Sequence, residues 1–150
     1  MQIRTARVSD VESICALISE YAELDRMLFR SPAEIYENIQ QFKVADESGL
    51  VAGCCALQVV WSDLAEIKSL AVRRDRSGRG AGRALVEACV GQARDLGVRR
   101  IFVLTMEPEF FRKVGFSHIG KETLPMKVWS DCARCCKQDQ CDEVAMVRDL

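Results

Sequence analysis

The stretch Leu70-Ala71-Val72-Arg73-Arg74-Asp75-Arg76-Ser77-Gly78-Arg79-Gly80-Ala81-Gly82-Arg83-Ala84-Leu85 decides the fold. An apolar run enters a basic turn with glycines at alternate positions and passes directly into helical periodicity. Leu85, Ala88, Cys89, Gln92, Ala93 and Leu96 then recur at spacings of three and four, and Gly97 is the natural C-cap. Strand, glycine loop and helix in this order make an anion cradle. Glycines let backbone approach a ligand, and a helix start offers free N–H groups and the positive end of its dipole. Arg79 and Arg83 add full charges at the same place. The combination suits a diphosphate.

Two common phosphate loops do not fit. A Walker A loop requires Gly-Lys-Ser/Thr at the helix start, whereas Gly82 is followed by Arg83 and Ala84. The dinucleotide fingerprint requires a further glycine three residues after its second and an early position in the chain. Here Gly82 is followed by Leu85 at that spacing, mid-chain.

Outward from the loop, residues 2–7 read as a strand. Ser9 or Asp10 caps a helix from Val11 that carries Ile14, Leu17, Ile18 and Tyr21. Ser31-Pro32-Ala33-Glu34 combines a serine cap, a proline at the first helical position and a capping-box glutamate. Strands follow at 42–46 and 50–60 around the turn Glu47-Ser48-Gly49, then at 64–72 and 100–105. A short helix spans 108–114 and ends at Gly115; the last strands lie near 116–119 and 143–148. The 150 residues form one α/β (α+β) domain, with no repeat or linker.

Composition excludes several classes. Apolar residues are 49% and charged residues 29% of the chain, a globular balance, and the net charge of −1 gives no overall field for nucleic acid. No apolar run approaches the roughly 20 residues that span a bilayer, and there is no secretory leader, so a cytoplasmic location is expected. Eight cysteines fall into two groups. Cys15, Cys54, Cys55 and Cys89 lie in apolar segments as small core residues, while Cys132, Cys135, Cys136 and Cys141 crowd one stretch. C-x2-C spacing there allows a small zinc site, with reduced structural or redox-labile cysteines as the competing accounts.

Here the chain resembles the GNAT superfamily of acetyltransferases. The family's loop pattern, Arg/Gln-x-x-Gly-x-Gly/Ala, is met at both glycines by Ser77-Gly78-Arg79-Gly80-Ala81-Gly82, departing only at Ser77. Phe110-Phe111-Arg112-Lys113-Val114-Gly115-Phe116 is similar to the later family segment Phe-Tyr-x-x-x-Gly-Phe. The resemblance implies a mixed central sheet of about six to seven strands flanked by about four helices. Two of those strands, 64–72 and 100–105, would splay to hold acetyl-CoA. It further implies pantetheine contacts at Leu70, Ala71 and Val72, pyrophosphate contacts at Ser77, Gly78, Arg79, Gly80, Ala81, Gly82 and Arg83, and a cofactor contact at Phe111.

Acetyl transfer to an amine needs a proton acceptor, for which Glu66 is the expected residue in this family, usually through water. Partial burial would raise its pKa toward a useful range; a surface or structural ion pair with Lys68 is the plainer account. Period-two alternation places Glu66, Lys68, Leu70 and Val72 on one face. Phe111 stands where many relatives carry a tyrosine, and its ring has no proton to give; Thr105 and Ser69 are possible donors, with the amine or solvent as the alternative source of the thiolate's proton.

Within the superfamily the chain resembles the acetyltransferase domain of N-acetylglutamate synthase, in its short stand-alone form. That resemblance rests on Leu28-Phe29-Arg30-Ser31, Gly53-Cys54-Cys55-Ala56-Leu57, Ala65-Glu66-Ile67-Lys68-Ser69-Leu70-Ala71-Val72 and Ile101-Phe102-Val103-Leu104-Thr105. It implies L-glutamate as acceptor, in arginine biosynthesis, with Arg30 and Lys68 on its carboxylates. Arg112 is a further cation that suits either a carboxylate or the adenosine phosphates. Acetylation of a peptide N-terminus, a lysine or a polyamine is the second enzyme reading, and an acetyl-CoA-sensing domain without turnover the third. Strand edges make a homodimer plausible.

Overall fold

The computed structural model describes residues 1–24, 27, 29–124 and 143–150. Among these, seven strands form one mixed sheet and four α-helices cover it. The elements run β1 (Gln2–Thr5), α1 (Val11–Glu23), α2 (Pro32–Glu37), β2 (Phe42–Glu47), β3 (Leu50–Trp61), β4 (Leu64–Val72), α3 (Ala81–Asp95), β5 (Arg100–Thr105), α4 (Pro108–Lys113), β6 (Ser117–Ile119) and β7 (Val144–Asp149). The strand order is β1-β2-β3-β4-β5-β7-β6. All neighbours are antiparallel except β4 and β5, which α3 connects as a parallel crossover.

Local chemistry explains these boundaries. Ser31 Oγ accepts the Glu34 N–H at 3.2 Å, capping α2, with Pro32 in its first turn. Ser48 and Gly49 take φ of 54° and 91°, the left-handed pair that a two-residue hairpin needs, and the Asp46 carboxylate accepts the Gly49 N–H. Gly97, at φ 85°, turns the chain out of α3, and the Val98 N–H then returns to the Ala93 carbonyl at 2.9 Å.

Each face of the sheet has its own core. α3 lays Ala81, Leu85, Val86, Cys89, Val90 and Ala93 on one side, against Cys55, Leu57, Ala65 and Ile67. On the other side Ile14, Leu17 and Ile18 of α1 and Ile35 of α2 pack on Phe42, Val44, Cys54, Ala56 and Ala71. Each fully buried aliphatic side chain stabilises the fold by roughly 1.5–3 kcal/mol. A third cluster, around Phe102 and Val147, covers the β5–β7 half of the sheet.

The buried stripe of α3 differs from the expected one. Val86 and Val90 belong to it, while Leu96 is 58% exposed beyond the last turn, where Gly97 turns the chain out of the helix. Three of the first-group cysteines are fully buried and Cys15 is half-buried. Arg4 fastens the start of the chain, donating to both Asp10 carboxylate oxygens (2.8 and 3.0 Å) and to Asp46 (3.0 Å).

Candidate active site

The parallel ladder between β4 and β5 has three rungs, Leu64↔Arg100, Ala65↔Ile101 and Glu66↔Phe102. β4 nevertheless continues to Val72 and β5 to Thr105. The two strands therefore part immediately after Glu66, and main-chain groups beyond that point face the gap instead of each other. Backbone polar groups left there can pair with an extended amide-bearing ligand.

A β-bulge shapes the rim of this gap. Between Ala56 and Cys54 of β3, two residues apart, β4 advances three residues, from Lys68 to Ala71. Ser69, at φ 55°, absorbs the extra residue. The insertion reverses side-chain alternation. Glu66, Lys68 and Ala71 face α1 and α2, whereas Ile67, Leu70 and Val72 face α3. This corrects the expectation from simple alternation that Leu70 and Val72 share a face with Glu66.

Five polar side chains lie on the α1/α2 side. Glu66 is 8% exposed, and Lys68 Nζ lies 3.9 Å from its Oε1. The same ammonium donates to Gln58 Oε1 at 2.9 Å. Arg30, 9% exposed, donates from Nη1 to Ser69 Oγ at 3.3 Å, and its guanidinium lies over the Phe42 ring, 5.6 Å from the centroid. No carboxylate among the described residues pairs with it, so among those residues its largely buried positive charge has no anionic partner. Such a charge calls for an anion.

Sequence reasoning singled out Glu66, Arg30 and Lys68, and the fold brings these three to one side of the sheet. Gln58, Ser69's hydroxyl and Tyr21 were missed as partners. The Tyr21 hydroxyl donates to the Val72 carbonyl at 2.7 Å, tying α1 to the last residue of β4. Its helical spacing marked it only as a packing residue. As for the other hydroxyl candidates, Ser69 Oγ is engaged by Arg30, and Thr105 Oγ1 accepts the Glu107 N–H at 2.8 Å.

The glycine loop lies at the open end of the gap. A 3-10 turn at Arg74–Arg76 precedes it, Gly78 and Gly80 have φ of 80° and 84°, and Gly80 caps α3. A Cβ at Gly78 or Gly80 would meet nothing within 4 Å, so the space over the loop is open to a ligand. The first amides of this 15-residue helix have no intrahelical acceptor and form an anion cradle with the dipole. Arg76 and Arg79 reach Glu47 at 3.3 and 3.7 Å, and Arg83 is exposed. Gly82 is different, because a Cβ there would come within 3.2 Å of the Phe110 ring. α4 is thus pressed against the first turn of α3.

The Phe111 ring, expected as a cofactor contact, is 4% exposed and packs edge-on between Phe110 and Phe116, with centroids 5.0 and 5.3 Å away. The six-residue helix α4 can turn only one of its two adjacent rings inward; Phe111 takes the core and Phe110 the contact with Gly82. Arg112 pairs with Glu109 on the exposed side of α4.

A groove of about 400 Å³ between α1, Leu50 and Arg73–Asp75 contains none of the candidate residues. Among the described residues no group of three or more His, Cys, Asp or Glu side chains is placed to hold a metal. Cys132, Cys135, Cys136 and Cys141 lie outside the described residues.

The model of the acetyltransferase (GNAT) family matches residues 9–116, which include the splayed strands, the bulge and the loop. The chain belongs to the GNAT family. This GNAT is 43% identical over 148 residues to an uncharacterized N-acetyltransferase of Chlorobaculum tepidum, covering 99% of this chain and 96% of that protein. It is 41% identical over 135 residues to an amino-acid acetyltransferase of Mycobacterium tuberculosis, covering 88% of this chain and 77% of that one. Among solved structures it is similar to the N-acetylglutamate synthase of Neisseria gonorrhoeae complexed with coenzyme A and N-acetyl-glutamate. That match has a TM-score of 0.91 and 29% identity, covering 99% of this chain and 35% of the synthase. The GNAT is accordingly an N-acetyltransferase, and its sheet is the one expected of the family.

Proposed function

We propose that this GNAT transfers the acetyl group of acetyl-CoA to the α-amine of an amino acid, with L-glutamate as acceptor, and so serves arginine biosynthesis. The observation that carries this reading is Arg30, a guanidinium nine-tenths buried on the side of the sheet that carries Glu66 and Lys68, with no carboxylate partner among the described residues. The anion it calls for is the α-carboxylate of the acceptor, which a planar guanidinium grips through two parallel hydrogen bonds. Lys68, on the same face of β4, serves the second carboxylate. The likeness to an amino-acid acetyltransferase and to an N-acetylglutamate synthase supports the same assignment.

The roles of the remaining residues follow from their places. Acetyl-CoA supplies an activated thioester carbonyl. The main chain at Leu70, Ala71 and Val72 pairs with the pantetheine arm, and Ser77, Gly78, Arg79, Gly80, Ala81, Gly82 and Arg83 cradle the pyrophosphate. Glu66, at the point where the strands part, takes the proton that the substrate ammonium must lose before it can attack, directly or through one water. Arg30 and Lys68 hold the amine in line, which converts a bimolecular encounter into a positioned one.

A polyamine or lysine acceptor fits less well, because its cationic groups would be repelled by the buried Arg30 guanidinium, which no carboxylate among the described residues pairs with. The test is thiol release from acetyl-CoA with glutamate, glutamine, aspartate, the other common amino acids and polyamines offered separately. Turnover confined to glutamate supports the proposal. Turnover with glutamine or aspartate keeps the amino-acid reading but removes the arginine-pathway assignment. Turnover with polyamines alone overturns both.

A further inference from the structure

Ser69 is an unexpected residue at the bulge. A backbone at φ 55° in mid-strand favours glycine, or asparagine and aspartate, so a serine there costs conformational energy that its surroundings must offset. Its hydroxyl has a distant partner: Ser69 Oγ accepts from Arg30 Nη1 at 3.3 Å, across 39 residues of sequence. The bulge itself has another support, since the Ser69 carbonyl lies 3.4 Å from the buried Cys54 Sγ, which donates to it. The hydroxyl is thus free of the work of holding the strand.

We propose that Ser69 is a positioning residue for acceptor binding, the group that aims Arg30 at the substrate carboxylate. This rests on the reading that Arg30 binds that carboxylate. A guanidinium has five N–H donors and a long, flexible stem. Here the Phe42 ring restrains its plane on one side, and the Ser69 hydroxyl takes one donor at the edge. Together they fix one face and one edge of the guanidinium and leave its other donors without a hydrogen-bond partner among the described residues, on the side of the sheet that carries Lys68 and Glu66. Because the hydroxyl is neutral, it orients the guanidinium without cancelling the charge that the substrate must meet. A carboxylate at residue 69 would hold Arg30 more firmly and compete with the acceptor. The bulge places the hydroxyl correctly, since without the extra residue position 69 would face the α3 core.

The test uses Ser69→Ala and Ser69→Gly, each in the natural protein and in the Arg30→Ala protein. Acceptor kcat/KM is measured from initial thiol release, with CoA affinity by calorimetry and the thermal midpoint alongside. Both single variants should lower acceptor kcat/KM on the order of tenfold through KM, the loss expected for one hydrogen bond to a charged group. CoA affinity should hold in both. Ser69→Gly, which also relieves the left-handed backbone, should melt no lower than Ser69→Ala. In the Arg30→Ala background neither substitution should lower acceptor kcat/KM further, because the group it aims is gone.

An unchanged acceptor KM in both variants would overturn the proposal. So would a full tenfold loss that persists without Arg30, or a parallel loss of CoA affinity, which would mark Ser69 as a strand residue only. If the natural protein turns over no amino acid, the reading of Arg30 as a carboxylate anchor fails first and takes the role of Ser69 with it.

Discussion

Glu66 and Phe102 form the last rung of the parallel ladder between β4 and β5. Phe102 is fully buried and Glu66 nearly so, which puts a carboxylate at the apex where the sheet opens, with an apolar floor beneath it. A proton acceptor at that apex can reach an amine held on the α1/α2 side and an acyl group held in the gap.

Glu66→Gln keeps the shape of the side chain and removes its capacity to take a proton. Turnover should fall by about 10²-fold or more, the usual loss for a general base. CoA affinity should hold, since no loop contact changes. Residual turnover should climb with pH, as the acceptor ammonium loses its proton unaided. Steady-state thiol release from neutral to alkaline pH checks this; a turnover equal to that of the natural protein would reduce Glu66 to the ion-pair partner of Lys68.

Arg30→Ala should raise the acceptor KM by about 10- to 100-fold and leave kcat within a few-fold, as expected for an anchor that holds substrate and transition state alike. Arg30→Lys should recover only part of the loss, because an ammonium lacks the planar fork. Equal losses in kcat and KM would contradict the anchor role.

Gly80→Ala and Gly49→Ala form a matched pair. Both glycines have φ near 90° (84° and 91°) and open space where a Cβ would stand. Each substitution should destabilise by about 1 kcal/mol from left-handed backbone alone. Only Gly80→Ala should also weaken CoA, since its methyl enters the space over the loop. Thermal melts and CoA calorimetry on the two variants separate backbone strain from ligand contact.

Asp10 gives a pH signature. The Arg4 guanidinium, aided by the Arg7 N–H, holds its carboxyl below the ordinary range. A carboxyl depressed in the folded state adds stability above its unfolded pKa of about 3.9 and loses it as pH falls through the folded value. Asp10→Asn should therefore cost about 2 kcal/mol at neutral pH, the worth of a hydrogen-bonded charge. The gap to the natural protein should close progressively below about pH 4. Urea melts across acidic pH measure it.

The core cysteines should resist alkylation in the folded protein. Burial pushes the Cys54 thiol up to about 12, and Cys55, with Cys89 Sγ 3.7 Å away, is also pushed up. Thiolate is the reactive form, so peptide mapping after iodoacetamide should find Cys54, Cys55 and Cys89 unmodified until denaturant is added. Modification of Cys55 in the native state would contradict the packing of β3 on α3.

Much of the architecture is local and was legible as such. The Ser31-Pro32-Ala33-Glu34 cap, the Ser48-Gly49 hairpin, the bounds of β4 and β5, and the loop with its helix all depend on residues within a few positions of each other. Propensity, capping and turn chemistry act over that range. Glu66, Arg30 and Lys68 were also nameable, because charged residues inside or beside apolar segments stand out in one dimension.

The errors were of a different kind. Alternation along β4 assigned Leu70 and Val72 to the wrong face because the bulge at Ser69 answers to register with β3 and carries no local mark. Helical spacing on α3 put Leu96 in the core in place of Val86 and Val90, since the tilt of a helix on a sheet is set by the sheet. Of two adjacent phenylalanines, only the packing of α4 against Phe116 and Gly82 decides which faces inward. The sequence by itself determined the elements, the glycine loop and the ionisable residues available for chemistry, because short-range interactions specify those. Tertiary structure alone decided that Arg30 meets Ser69 across 39 residues, that Tyr21 meets Val72 across 51, and that β4 parts from β5 just after Glu66. These contacts exist only once distant segments have packed, so no residue-by-residue reading contains them.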